Sequence, residues 1–157
     1  MSDLKEVIIY TDGASQGNPG PGGYGVVLLH GDLRKELSGG YRRTTNNRME
    51  LMGVIAGLQA LKSKCKVTIY SDSKYVVDSI TLGWLQGWQA KGWKKVKNPD
   101  LWKILVNLLA QHEVKFKWVR GHAGNRENER CDVLSVEAAQ QDDLPADAGY
   151  EQQKFNE

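Results

Sequence analysis

Three aliphatic residues in succession, then an aromatic and a β-branched residue, lead into an acid in Val7-Ile8-Ile9-Tyr10-Thr11-Asp12-Gly13. Bounded by a Gly/Pro/Asn-rich run from Gly13 to Gly23, this stretch reads as a central strand buried on both faces. It delivers Asp12 to the end of a sheet. A carboxylate where a hydrophobic strand runs out, beside glycines that let a ligand approach the backbone, sits where open α/β sheets place their ligands. Asp-Gly is equally a turn signal, so Asp12 taken alone also fits a simple turn start.

Asn18-Pro19-Gly20-Pro21-Gly22-Gly23 forbids regular structure, and a strand returns at Tyr24–Leu29. After the turn His30-Gly31-Asp32, a third strand follows over Arg34–Tyr41, and short links make the three an antiparallel meander. The Gly13–Gly23 loop is long for a compact domain, and such loops are usually functional; a plain surface loop is the alternative.

From Thr44-Thr45-Asn46-Asn47 the pattern turns helical, with Thr45 or Asn46 as N-cap and Glu50 in the first turn. Leu51, Ile55 and Leu58, with Met52, Ala56 and Ala60, give a wide apolar face. Glu50, Gly53 and Gly57 share one side, and two interior glycines at about 1 kcal/mol each imply close packing there. Glu50 alone is explained as well by the helix dipole.

Lys66–Ser73 repeats the opening theme: a β-branched strand that ends at Asp72. Strand, helix and strand in this order form a βαβ unit whose right-handed crossover sets the second strand parallel to the first. Asp12 and Asp72 therefore emerge at the same rim. Two aspartates arriving there independently favour a site over two incidental turns.

Lys74–Leu82 continues as a helix. Trp84–Lys97 then interleaves Trp84, Trp88 and Trp93 with Lys91, Lys94, Lys95 and Lys97, and contains no acid. Ammonium groups among flat rings suit phosphates and sugars or bases; a small tryptophan core with solvated lysines is the alternative. Asn98-Pro99-Asp100 caps a helix bearing Leu101, Leu105, Leu108 and Leu109. Glu113–Val119 alternates as a fifth strand and ends in Arg120-Gly121-His122-Ala123-Gly124. Such a Gly-flanked histidine is either inert in solvent or free to carry a proton near neutrality. Glu127–Gln140 is a last helix with Cys131, Leu134 and Ala138 inward and Asp132 at the boundary of core and rim.

If Asp12, Glu50, Asp72 and Asp132 converge, two charges about 5 Å apart repel by roughly 3 kcal/mol at an effective dielectric near 20. Raised pKa values or a bound divalent cation must relieve this. An all-oxygen donor set selects Mg²⁺ or Mn²⁺ over zinc and suits paired-metal cleavage of a phosphodiester.

A length of 157 residues suits one domain, and the formal charge of +2 hides a basic middle and an acidic end. Cys65 and Cys131 form no metal or CxxC spacing and suggest buried free thiols in a reducing compartment. The N-terminal residues lack an apolar signal core and no run approaches spanning length, so a cytoplasmic protein with no membrane partner is expected. Domain boundaries fall at 1–141 for the single domain and 142–157 for an acidic polar tail, partly disordered.

Thr11-Asp12-Gly13 with Gly17–Gly25, Thr44–Leu51, Ser71-Asp72-Ser73, and Gly121-His122-Ala123-Gly124 with Glu127–Asp132 together resemble bacterial type 1 ribonuclease H. The resemblance covers nearly the whole chain, including a Trp/Lys segment like the family's basic protrusion. It implies the ribonuclease H-like α/β fold, a five-stranded mixed sheet of three antiparallel and two parallel strands with helices on both faces. It implies endonucleolytic hydrolysis of RNA in an RNA/DNA hybrid, leaving 3′-hydroxyl and 5′-phosphate ends, in primer and hybrid removal during DNA replication and repair. Asp12, Glu50, Asp72 and Asp132 would hold two Mg²⁺ ions, with Mn²⁺ able to substitute, and His122 would move a proton or help product leave. Ser15, Asn18, Asn46 and Asn47 would track the minor groove, and Glu50 would also sense a ribose 2′-hydroxyl. Arg43 and Thr45 fall where the family grips a phosphate of the DNA strand; Trp84, Trp88, Lys91, Trp93 and Lys94 would lie along that strand. A monomer is implied.

Four features depart from the family pattern. Lys74 stands where Gln is expected beside the scissile strand, which turns that contact into a phosphate salt link. Asp78 replaces a neutral residue near the DNA path. The link from Trp93 to Asn98 is short, and Val133 and Ser135 follow Asp132. Two other readings use the same residues: a non-catalytic hybrid-binding module, and a transposase or junction resolvase on a related fold. Four intact acids oppose the first, and the Thr-Thr-Asn-Asn-Arg-Met-Glu helix start opposes the second.

Overall fold

The computed structural model describes residues 4–155, the side chains as far as residue 152. Its elements are β1 (Lys5–Ser15), β2 (Gly20–His30), β3 (Leu33–Thr44), α1 (Asn46–Gln59), β4 (Cys65–Ser71) and α2 (Lys74–Thr81), followed by α3 (Trp84–Ala90), α4 (Pro99–Ala110), β5 (Glu113–Trp118), α5 (Arg126–Ala139) and α6 (Ala148–Phe155). The strands form one sheet in the order β3-β2-β1-β4-β5. The β3-β2-β1 half is antiparallel, and β1-β4-β5 is parallel. Thr11 and Ser71 are the last pair between β1 and β4, so Asp12 and Asp72 follow side by side, Asp72 just past β4 and Asp12 within β1, where it pairs only with Gly25 of β2.

Alternation divides the sheet between two cores. Ile9, Val26, Val67 and Ile69 point toward α1, and Leu51, Ile55 and Leu58 of α1 meet Trp102 and Leu105 of α4 in the larger core. Val27 points the other way, to Cys131 and Leu134 of α5. The expected close packing at Gly53 and Gly57 is present: a Cβ at Gly57 would stand 3.0 Å from Ile9, and one at Gly53 3.3 Å from the Asp12 carbonyl. Under α5 the approach is closer still. A Cβ at Gly25 would come within 2.4 Å of the Cys131 carbonyl oxygen, so only glycine lets this helix lie directly on β2.

β1 differs from expectation twice. Ile8 is 39% exposed, so the strand is not buried throughout on both faces. The strand also runs on through Gly13–Ser15, pairing with Gly22–Tyr24 of a β2 that starts at Gly20, where the glycines pair as strand instead of forming a long loop. The α5 contact with β1 falls one pleat further on, where the Cys131 thiol donates to the Tyr10 carbonyl (3.3 Å). Beyond α5, Tyr10 stacks on Tyr70 (4.8 Å, 13°), and the exposed Lys117 stands above Tyr70.

The segment after residue 141 is also not the loose tail its composition suggests. Asp147 is buried, accepting from the Thr44 hydroxyl (2.7 Å) and from Arg48, and α6 follows with Glu151 paired to Arg42 (3.0 Å). A buried counter-charge for Arg48 holds the chain down where an acidic composition alone predicts solvation. Residues 156–157 of the expected tail lie outside the described residues. Among the described residues no helix is long and apolar enough to cross a membrane.

Candidate active site

Three acids arrive at one rim from three directions. Asp12 comes from β1 just past its last pair with β4, Glu50 from the first turns of α1, and Asp72 just past β4. One carboxylate oxygen from each lies within 4.8 Å of the others. Asp12 and Glu50 are buried, at 6% and 8% exposure. The Gly13 N–H binds both, donating to Asp12 Oδ1 (2.8 Å) and Glu50 Oε1 (2.5 Å). Met49 closes over Gly13 so tightly that a Cβ there would sit 2.3 Å from the Met49 carbonyl carbon.

Electrostatics in this corner follow from that crowding. Burial pushes the Asp12 carboxyl up to about 7, opposed by its hydrogen bond with Glu50 and reinforced by the charges of Asp72 and Asp132. Glu50 is raised as well, first by burial, then by the charge of Asp12. Glu50 Oε2 is buried with no hydrogen-bond partner. An orphaned carboxylate oxygen where burial and neighbouring charge raise the proton affinity of both Asp12 and Glu50 is a place short of positive charge. Oxygen donors alone, with no thiolate or imidazole among them, fit a hard divalent cation.

Asp132, on the second turn of α5, is half-exposed and stands outside the group of three, although its charge reaches Asp12. His122 is exposed in the loop before α5, in the left-handed conformation (φ 57°) between Gly121 and Ala123.

Two supporting residues escaped the sequence reading. Trp118 donates its indole N–H to the Asp72 carbonyl (3.1 Å) and carries the Lys74 ammonium 4.8 Å from its ring centroid. Asn128 donates to Asp72 Oδ2 at 3.4 Å. Asn128 lies one helical turn before Asp132, and that spacing was the available signal. For Trp118, the last residue of β5, the strand alternation carries no such signal.

The residues expected to read the duplex form an exposed shelf next to the acids. Asn46 Oδ1 accepts from the Ser15 N–H (2.7 Å) and hydroxyl (3.1 Å), and the Asn46 N–H donates to Asn18 Oδ1 (3.1 Å). Ser15, Asn18 and Asn46 thus join the β1–β2 loop to the start of α1, and Asn47 lies exposed beside them. Thr45 caps α1 by accepting from the Arg48 N–H (3.3 Å), with Arg43 exposed two residues earlier. In the Trp/Lys segment Trp84 is 49% exposed and Lys91 and Lys94 are exposed. Trp88 and Trp93 are half-buried against the main core, Trp88 edge-on to Trp102 at 5.4 Å, so packing and exposed charge coexist here.

Of the departures from the family pattern, Ser135 has a packing role: it is buried, and its carbonyl closes over Gly23 of β2. Nothing in the structure explains valine at 133.

Residues 4–140 match the ribonuclease H family. The ribonuclease H of Syntrophus aciditrophicus (strain SB) is 66% identical over 151 residues, spanning 93% of this chain and 87% of that protein. That of Rippkaea orientalis (strain PCC 8801 / RF-1) is 60% identical over 152 residues, 94% of this chain and 93% of that one. Among solved structures, LC9-RNase H1, a type 1 RNase H with the type 2 active-site motif, superposes with a TM-score of 0.80 at 33% identity, covering 98% of this chain and 82% of that chain. LC11-RNase H1, solved in complex with an RNA/DNA hybrid, superposes at 0.64 and 28% identity, covering 85% and 96%. With its sheet order, its rim of acids and these relatives, the chain belongs to the ribonuclease H family, among the bacterial type 1 members, and is a metal-dependent nuclease.

Proposed function

We propose that this protein is an endoribonuclease that hydrolyses the RNA strand of RNA/DNA hybrids with two Mg²⁺ ions, leaving 3′-hydroxyl and 5′-phosphate ends. The observation that carries this reading is the meeting of Asp12, Glu50 and Asp72 within 4.8 Å around an unpartnered Glu50 oxygen. Asp12, Glu50, Asp72 and Asp132 are the residues that would hold the ions, Asp132 from the outer side. When bound, such an ion pair activates the attacking water and stabilises the leaving oxygen.

The chain's own groups then have separate tasks. Gly13 fixes the directions of Asp12 and Glu50, and Trp118 and Asn128 fix Asp72. His122, exposed on its loop, carries the proton of the leaving group or eases product departure. Ser15, Asn18, Asn46 and Asn47 follow the minor groove, so that Glu50, one turn along α1, meets the 2′-hydroxyl at the cut. Arg43 and Thr45 take a phosphate of the DNA strand, and Trp84, Trp88, Lys91, Trp93 and Lys94 lie along it. Selection follows: one strand must offer a 2′-hydroxyl and the other must bend into the phosphate grip. Lys74, resting on Trp118 beside Asp72, is placed to take a phosphate of the cleaved strand.

In the cell this activity removes RNA primers and other hybrids during DNA replication and repair, carried out by a cytoplasmic monomer. Labelled RNA/DNA, RNA/RNA and DNA/DNA duplexes incubated with Mg²⁺ or with chelator test the reading. Cleavage confined to the RNA of the hybrid, and only with metal, is expected; a preference for duplex DNA rejects it.

A further inference from the structure

Arg48 is fully hydrophilic by nature and only 1% exposed. It sits on the first turn of α1 between the duplex-reading Asn46 and Asn47 and the acid Glu50. Two carboxylates grip its guanidinium. Asp147 accepts from Nε (2.8 Å) and Nη2 (3.0 Å), and Asp100 from Nη1 (2.9 Å) and Nη2 (2.7 Å). Burial works against the charge, yet these two acids keep Arg48 ionised more firmly than usual. A third acceptor is the side chain of Asn98, 3.3 Å from Nη1.

The partners of Arg48 are the roots of the two parts of the protein assigned to the DNA strand. Asp147 also accepts from the hydroxyl of Thr44 (2.7 Å), which lies between Arg43 and Thr45 at the junction of β3 and α1 that grips the phosphate. Asn98 ends the Trp/Lys segment, in the left-handed conformation at φ 59°. Its amide donates to the Tyr75 hydroxyl (3.2 Å), which the Trp102 indole also reaches (2.9 Å), and Trp102 supports Trp88. One connected set of buried and part-buried hydrogen bonds therefore runs from Thr44 through Asp147 and Arg48 to Asn98, Tyr75 and Trp102, and Trp88 joins it by its ring contact with Trp102.

Stability alone does not call for such a node, because a buried ion triad is often no better than apolar side chains of the same volume. What it supplies is fixed direction, two forked pairs on one planar group. We propose that Arg48 and Asp147 are positioning residues for DNA-strand binding: they lock the β3–α1 junction at Arg43–Thr45 to the end of the Trp/Lys segment so that both meet the strand as one preorganised surface. Segment 142–152 is thereby part of the substrate-binding apparatus although it touches no substrate. This inference rests on the proposed hybrid reading, in which those two regions hold the DNA strand.

Steady-state kinetics on a hybrid, with Mg²⁺ saturating, test it. Asp147→Asn is expected to raise KM about fivefold with kcat within about twofold, the signature of lost binding without lost chemistry. Asn98→Ala, which removes the hydrogen bond from Arg48 and the one to Tyr75 but leaves both carboxylate pairs of Arg48 in place, is the milder variant and is expected to raise KM about twofold. Leu108→Ala, a core truncation away from this network, controls for destabilisation and should leave KM unchanged at temperatures where it is folded. In a double-mutant cycle, Asp147→Asn and Thr45→Ala should be less than additive in KM, because the first acts through the β3–α1 junction that carries the second. If Thr45→Ala and Lys94→Ala both leave KM unchanged, the DNA-strand assignment itself fails. If they raise KM while Asp147→Asn and Asn98→Ala do not, or if Leu108→Ala raises it equally, the positioning role is overturned.

Discussion

Gly13 and Glu50 are 37 residues apart in the chain and joined by a 2.5 Å hydrogen bond from the Gly13 N–H to Glu50 Oε1. The bond ties the end of β1 to the first turns of α1 at the point where a side chain on residue 13 would strike the Met49 carbonyl carbon at 2.3 Å. Backbone cannot yield there as a flexible side chain would. Gly13→Ala should therefore push α1 off the strand, costing about 1–3 kcal/mol in thermal or denaturant unfolding and most of the activity. Wild-type stability with wild-type cleavage in this variant contradicts the geometry.

Asp12 and Glu50 both hold protons more tightly folded than unfolded, Asp12 with a value raised from 3.8 to about 7. A carboxyl with a raised folded-state pKa favours the folded state at low pH and withdraws that contribution as pH climbs from its unfolded value through its folded one. Metal-free protein is thus expected to lose melting temperature between about pH 4 and pH 7 from this pair, and Mg²⁺ added at the upper end should restore it. Melting curves across pH, with chelator and with Mg²⁺, check this; a metal-free melting temperature that rises through the window on account of these residues, tested against Glu50→Gln, contradicts it.

Asp72→Asn keeps the shape of the rim and removes one charge from the group of three acids. Cleavage of a hybrid should fall by about a thousandfold or more, while hybrid affinity measured without turnover stays within a few-fold. Full cleavage by the variant removes Asp72 from the metal-binding assignment.

Trp118 holds the Asp72 carbonyl through its indole nitrogen and Lys74 on its ring face. Trp118→Phe deletes the first contact and preserves an aromatic face for the second. Outer-shell partners of metal ligands typically matter about 10- to 100-fold, so the Mg²⁺ concentration for half-maximal cleavage should rise by about tenfold. An unchanged metal requirement would show that the strand end is held without this hydrogen bond.

Much of this architecture could be read along the chain because it is written in local patterns. The apolar runs of β1 and β4 lead into Asp12 and Asp72, α1 opens with the Thr45 cap, and the βαβ crossover rule puts Asp12 and Asp72 at one rim. What stayed hidden depends on partners distant in sequence. Asp147 lies in an acidic stretch whose composition suggests solvation, and only Arg48, 99 residues away, gives it a reason to be buried. Arg48 itself sits among asparagines at a helix start, where an arginine normally faces water. The register of α5 puts Asp132 near the rim, but how far α5 carries it from the other three acids depends on packing against Gly23 and Gly25. Ile8 is exposed for a related reason, since the place where α5 touches β1 is decided by the same contact.

Asn46 and Glu50 stand one turn apart on a single rigid helix whose start is bolted to Ser15 and Asn18 and whose flank is pinned at Gly13. A shift of that helix cannot relocate one without dragging the other. On the proposed function, recognition and cutting are therefore mechanically inseparable: a mutation that loosens the shelf detunes the blade, and relaxed substrate choice should be reachable only at the expense of turnover.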